Sequence, residues 1–369
     1  MRRDCRLDAV RGLLLAEIAF VHTRVPAADY AYEFFGRVST AAGFVFLSGL
    51  VAGAVYGRIA DASLLDATKA SVRRALFIHK YHVATFAVLA LIALMVPRYA
   101  RYFDFHWIGV PSEAWRSIVE FTWFAYQPRF FDILPLYALF VLAMPLALLG
   151  FTSNRSVAVM MVSLALWITA QCGIGDDRVF GGSYFNPLAW QLLYFSGLYF
   201  GYHQLHGKRE IVRPQGGLIL LCSCIAALGF TMRWDLIAWP NAFETGTFLA
   251  NKTNHSPLYV VNFYAFVYLL FCLLKRFPNL LSIRPFVFLG KHSIQVFSFH
   301  ILVVYLALPF FRTARHLSPW TENLLGLVIV VSLFIPAIIH RRHQLHSAQR
   351  REERVRRQAS VDPLLPRSV

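Results

Sequence analysis

The sequence predicts an all-α fold: a polytopic integral membrane protein with about ten transmembrane helices packed in one bundle. Three observations carry that expectation. Apolar runs of bilayer-spanning length recur from one end of the chain to the other, and roughly 20 apolar residues are what a helix needs to cross. Of the 369 residues 57% are hydrophobic and only 15% are charged, whereas a soluble chain carries about 25% charged residues. The basic residues collect in the short connections, where loop charge fixes the orientation of a membrane protein.

Taken in order, the runs occupy residues 7–25, 38–57, 75–96, 132–150, 156–172, 187–203, 216–234, 258–274, 285–307 and 323–340. With the N-terminus in the cytoplasm, 23 of the 36 Lys and Arg residues fall inside and 11 outside, while Lys80 and Lys291 lie within runs. That bias puts both termini in the cytoplasm, as an even number of crossings requires. Arg2, Arg3 and Arg6 before the first run imitate a signal peptide, but no small-residue cleavage site follows, so the run is expected to be retained.

Residues 1–340 are expected to form the membrane domain, and residues 341–369 a basic cytoplasmic tail, disordered or surface-helical, drawn to anionic headgroups. The formal charge of +16 does not point to nucleic acid, because no folded soluble region remains to bind it. Cys5, Cys172, Cys222, Cys224 and Cys272 lack metal-type pairing and read as small hydrophobes, so no metal is expected. Two outer connections are long. Residues 97–131 are aromatic-rich with interspersed charge, as helices lying on the outer leaflet are. Residues 235–257 are more polar and offer groups for a polar acceptor.

The first run, "RLDAVRGLLLAEIAFVHTR", carries Asp8, Arg11, Glu17 and His22. An ionisable group at mid-bilayer costs at least about 2.5–3.5 kcal/mol, so four on one helix need a reason. At 100° per residue Arg11 and His22 share a face, about 16 Å apart along the axis. Asp8, three residues before Arg11, lies on the same face. The result is a polar stripe with an ion pair toward the inner surface and an imidazole toward the outer one. A simple interfacial pair and a boundary histidine would give the same residues. Glu17 lies off the stripe and calls for a partner on another helix.

In the second run, "STAAGFVFLSGLVAGAVYG", Gly49, Gly53 and Gly57 recur every four residues and form a smooth face for close helix approach. Ser48 followed by Gly49 marks either that packing or a break lining a cavity. Arg73 and Arg74 at the start of the third run suit positive-inside anchoring and, equally, a phosphate-bearing ligand.

These stretches resemble the membrane acyltransferase type 3 superfamily. There the first helix opens with an acidic-x-x-Arg-Gly element followed by a histidine eleven residues after the arginine, the spacing of Arg11 and His22. The second helix carries a Phe-Phe-x-x-Ser-Gly element, matched approximately by Phe44, Phe46, Ser48 and Gly49. A late Ser-Tyr-x-x-Tyr-x-x-His element is similar to "LGKHSIQVFSFH", ending in His300, with Ile294 and Phe297 where the family usually has tyrosines. "FVFLSGLVAGAVYG", "YQPRFFDILPLYALF", "FNPLAWQLLYFSGLYFG" and "NKTNHSPLYVVNF" resemble a narrower branch, the OpgC family, linked to succinylation of osmoregulated periplasmic glucans.

The resemblance implies an enzyme of the bacterial inner membrane that moves a succinyl or acetyl group from cytoplasmic acyl-CoA to a periplasmic glucan or other carbohydrate, with membrane lipid around it and glucan-synthesis machinery as a possible neighbour. It implies a catalytic set of His22, Asp8 and Arg11, and a donor site of Arg11, Ser48, Arg73 and Arg74. His22 would act as general base, its ordinary pKa near 6.5 suiting removal of a hydroxyl proton at neutral pH; an acyl-histidine relay is the alternative. Asp132, Asn186, Trp190, Gln191, Lys252, Asn254 and His300 are the acceptor-binding candidates, since rings stack on sugar faces and amides and carboxylates bond hydroxyls. A transporter or flippase would also need intramembrane charges, but no internal repeat of broken helices is visible. An inactive scaffold is the third reading.

Overall fold

In lipid every backbone polar group must be satisfied within the protein, so the recurrent apolar runs become helices. The computed structural model describes residues 4–103, 105, 113–174, 184–206, 211–313 and 317–361. Among them the chain is all-α, without strands. In chain order the helices are α1 (Cys5–Thr23), α2 (Pro26–Ala31), α3 (Thr40–Ala62), α4 (Leu64–Met95), α5 (Pro97–Phe103), α6 (Ala114–Thr122), α7 (Ile133–Thr152) and α8 (Ser156–Gln171). They continue as α9 (Pro187–Phe200), α10 (Gly216–Arg233), α11 (Pro257–Arg276), α12 (Arg284–Lys291), α13 (Ser293–Thr313), α14 (Pro319–Ser332) and α15 (Phe334–Val361). A π-helical turn, Gly201–Leu205, prolongs α9. Starts are fixed by polar caps: Ser39, Ser63, Asn186 and Ser318 each accept a backbone N–H of the first turn.

Each of the ten expected runs is helical, and among the described residues seven helical stretches are long and apolar enough to cross a membrane by themselves. The exact count of about ten is not confirmed. α1 falls short because Arg6, Asp8, Arg11 and Glu17 stand within its 19 residues. α8 has 16 residues, and α9 has 14 before its π turn. α15 runs unbroken from the last span to Val361, on a sequence rich in Arg, Gln, Glu and Ala. Residues 362–369, together with Arg2, Arg3, Lys208 and Arg209 of the charge bias, lie outside the described residues.

Two glycine seams set the packing. On α3, Gly49 and Gly53 face Gly197 of α9 and Gly201, where the π turn begins. A Cβ on Gly49 would stand 2.0 Å from the Tyr194 carbonyl oxygen, and one on Gly53 2.1 Å from that of Leu198. Gly197 and Gly201 would meet the Phe46 and Leu50 carbonyls at 2.2 and 2.0 Å. The backbones touch directly, as small-residue seams allow. The second seam joins α1 to α12: a Cβ on Gly12 would lie 1.9 Å from the Phe286 oxygen, and one on Gly290 1.8 Å from that of Asp8. Through Ser48 α3 is continuous and the side chain is buried, so the break entertained for Ser48–Gly49 does not form.

The 97–131 connection is more deeply engaged than surface helices would be. Trp115 and Trp123 are exposed, yet Phe103, Phe105, Phe121, Tyr126 and Phe131 are buried against Phe86 and Tyr305. Residues 104 and 106–112 of that connection lie outside the described residues.

Candidate active site

The polar stripe of α1 is present. Arg11 Nη1 lies 3.8 Å from Asp8 Oδ1, with both side chains largely buried. One helix sets that distance, because residues three apart are neighbours on its surface. From Arg11 to His22 the axis rises about 16 Å, too far for Asp8 or Arg11 to touch the atoms around His22. They lie at the N-terminal end of the stripe.

At the C-terminal end of α1, His22 Nδ1 is 3.1 Å from His300 Nε2 on α13. Phe130 stacks on the His22 ring at 4.0 Å between centroids. Phe297 meets His300 edge-on at 4.7 Å, and Phe44 of α3 in turn stacks on Phe297. His300 is fully buried, and its Nδ1 makes no aligned hydrogen bond, although the Phe297 backbone acts on the ring. His22 is only partly covered. One imidazole of the pair is therefore partly accessible and the other is not.

The partner Glu17 calls for is Thr40, the first residue of α3, whose hydroxyl donates to Glu17 Oε1 at 2.5 Å. Lys252 stands over this region, and its charge acts on both Glu17 and His22. Its ammonium is held by Glu33 at 2.9 Å, donates to the Tyr32 hydroxyl at 2.6 Å and lies 4.0 Å from that ring's centre. Tyr259 donates to the other Glu33 oxygen at 3.2 Å. Lys252 was expected on the acceptor; the structure commits it first to this buried ion pair.

Asn186, Trp190, Gln191 and Asn254 were expected to face a sugar; in the structure their polar groups bond within the protein. Asn186 caps α9 and donates to Asn254 Oδ1 at 2.9 Å, and Trp190 Nε1 donates to the Thr253 carbonyl at 2.9 Å. Gln191 exchanges hydrogen bonds with the Ser163 hydroxyl and carbonyl, both at 2.7 Å. The Asn254 carbonyl accepts from Gln171 Nε2. Asn186 and Trp190 fasten the 251–256 loop onto α9, Gln171 holds it to α8, and Gln191 ties α9 to α8, because a buried amide must be paired. Asp132, partly exposed two residues from Phe130, accepts from the Tyr184 backbone N–H at 3.2 Å.

Arg73 is exposed and Arg74 half-buried over the Phe77 ring. Both charges act on Tyr56 of α3, and that of Arg74 reaches Tyr194 of α9. Tyr137 of α7 lies 6.1 Å from Tyr194. The arginine pair thus lies within electrostatic reach of tyrosines on α3 and α9. Neither the tyrosines nor Phe130 was legible as site residues.

His255 is a further buried group, sealed among Trp190, Tyr259 and Phe263 with neither ring nitrogen hydrogen-bonded. Burial pushes its pKa down to about 3, so it is neutral and acts as an aromatic filler. No cluster of three or more His, Cys, Asp or Glu suited to a metal ion occurs among the described residues.

A family model described as OpgC protein matches residues 3–344. No curated protein and no solved structure matches the chain.

Proposed function

The chain belongs to the OpgC family, and from that premise we propose that it is a membrane O-acyltransferase carrying a succinyl or acetyl group from cytoplasmic acyl-CoA to a periplasmic glucan or related carbohydrate. The observation that carries this reading is the His22–His300 contact. It sets two imidazoles, 278 residues apart in sequence, at the outer end of a helix whose inner end bears an ion pair.

The chemistry follows from which nitrogen holds the proton. With the His300 proton on Nδ1, beside the Phe297 backbone, its Nε2 accepts from His22 Nδ1–H. His22 Nε2 then carries a free lone pair. A hydroxyl of the acceptor gives its proton to that nitrogen as its oxygen attacks the thioester carbonyl. The tetrahedral intermediate collapses with loss of the CoA thiolate, and the imidazolium returns the proton to sulfur. Ester and free thiol result, with no net proton left on the enzyme. His300 holds the ring in one tautomer and orientation, so it is a positioning residue here and not the acceptor ligand first expected.

Incubating purified protein with radiolabelled succinyl-CoA or acetyl-CoA, with and without glucan, tests the reading directly. Label must move to the carbohydrate; label that stays wholly on CoA overturns it. Two predictions follow. Replacing Arg73 and Arg74 together by Gln should weaken acyl-CoA binding by about tenfold or more, with a smaller effect on acceptor affinity, because two charge-assisted phosphate contacts are lost. Equal donor affinity in a binding titration would leave the pair as topology anchors. Reporter fusions after Ile211 and after His340 should read cytoplasmic, and one within residues 113–122 should read periplasmic. A periplasmic signal after His340 would overturn the proposed orientation in the inner membrane.

A further inference from the structure

The segment "QPRFFD" leading into α7 carries two phenylalanines that the fold uses differently. Phe131 is a core residue, buried among Phe86, Phe121 and Tyr305. Phe130 takes the third position of a tight turn, Pro128 to Phe131, closed by the Phe131 N–H donating to the Pro128 carbonyl at 3.0 Å. Its φ is +71°. A turn ordinarily gives that left-handed position to Gly or Asn, and a bulky side chain is strained there. Glycine would meet the same backbone without strain, so what the strained turn presents is the ring. Tyr305 of α13 enforces this form. Its hydroxyl donates to the Arg129 carbonyl at 2.7 Å. The 129–130 peptide is the one whose orientation separates a turn with positive φ at its third position from the commoner type.

Strain of this kind collects at functional sites, where the surroundings enforce it. Here the enforced ring lies against His22, with 4.0 Å between centroids and 23° between planes. His300 meets the same imidazole at its edge, 3.1 Å from Nδ1. Both supports trace to α13: His300 itself, and Tyr305 five residues on, whose ring stands edge-on to Phe130 at 6.3 Å. We infer that Phe130 is a positioning residue for acyl transfer, its ring face held on His22 to stabilise the imidazolium that forms there. This rests on the acyl-transfer reading, which supplies the charge. The face of an aromatic ring is the negative side of its quadrupole and attracts a cation within about 6 Å. Imidazolium gains more from that attraction than neutral imidazole does. The contact therefore strengthens as the proton moves, which is the condition for lowering a barrier.

The test pairs kinetics with a measurement that needs no turnover, both on the purified full chain in detergent. Phe130→Leu keeps an apolar side chain and loses the ring face. At saturating acyl-CoA and glucan its kcat should fall by about 3–30-fold, the range of one cation–π contact, with KM for each substrate within about twofold. Phe130→Met takes its place should the leucine variant not run as a monodisperse peak. Phe130→Tyr keeps the face, so its kcat should stay within about twofold of wild type. A wild-type kcat in Phe130→Leu overturns the inference. So does a loss carried by KM alone, or a Phe130→Tyr no better than Phe130→Leu. The stack itself is read by NMR of isotope-labelled histidine, with the His22 signal assigned by its loss in His22→Gln. The Phe130 ring current should place the His22 ring protons upfield of their position in Phe130→Leu. Coincident signals overturn the inference whatever the kinetics show. Wild type that shows the upfield signal but moves no label overturns the acyl-transfer reading instead, so the two failures are distinct.

Discussion

His22→Ala is expected to lower acyl transfer by about 10²–10⁴-fold, the usual effect of losing a general base, which is about 3–5.5 kcal/mol of barrier. Expression, monodispersity and CoA affinity should stay near wild type. The side chain lies at the end of α1, is partly open, and stacks on Phe130 without holding a second helix by backbone contact. His22→Gln keeps a hydrogen bond to His300 but has no basic nitrogen, so it should be nearly as poor. Substantial transfer by His22→Gln would show that the residue only positions substrate. Asp132, two residues from Phe130, would then be the next base to test. The double variant with His300→Gln sharpens the result. If the two imidazoles act as one unit, it should be little worse than His22→Gln alone, since groups acting together lose activity non-additively.

Gly53→Val should abolish recovery of folded protein. The new Cβ would stand 2.1 Å from the Leu198 oxygen and 2.7 Å from the Tyr202 nitrogen. Those are backbone atoms, with no rotamer by which to yield. Inserting methyl groups into a packed core ordinarily costs about 1–3 kcal/mol. A collision with the backbone along the whole α3–α9 seam belongs at or above the top of that range. Fluorescence-detected size exclusion on the variant should show aggregate or no peak. Gly216→Ala, where nothing lies within 4 Å, serves as the control and should run as wild type. A monodisperse Gly53→Val would mean that α3 and α9 can part, and the seam would lose its structural role.

The residues that carry these two predictions were legible to different degrees. Helical periodicity alone put Asp8, Arg11 and His22 on one face and Gly49, Gly53 and Gly57 on another, because 3.6 residues per turn is a local property that any helix obeys. The same periodicity with apolar run length located every major helix. The charge on α1 likewise announced a need for partners, since an unpaired ionisable group in a membrane is costly wherever it sits.

What the sequence could not supply is which distant group meets which. The pairing of His22 with His300, the stacking of Phe130 on His22 and the bond from Thr40 to Glu17 depend on how α1, α3, α13 and the 124–132 turn pack. No spacing along the chain encodes that packing. The same ignorance bears on the acceptor candidates. Asn186, Trp190, Gln191 and Asn254 carry the donors and acceptors a sugar would want, and a buried loop backbone wants the same ones. A hydrogen-bonding group does not distinguish the two by its chemistry; its position in the tertiary structure does. Here it gives Asn186, Trp190 and Asn254 to the 251–256 loop and its contacts, gives Gln191 to α8, and leaves His22 partly exposed.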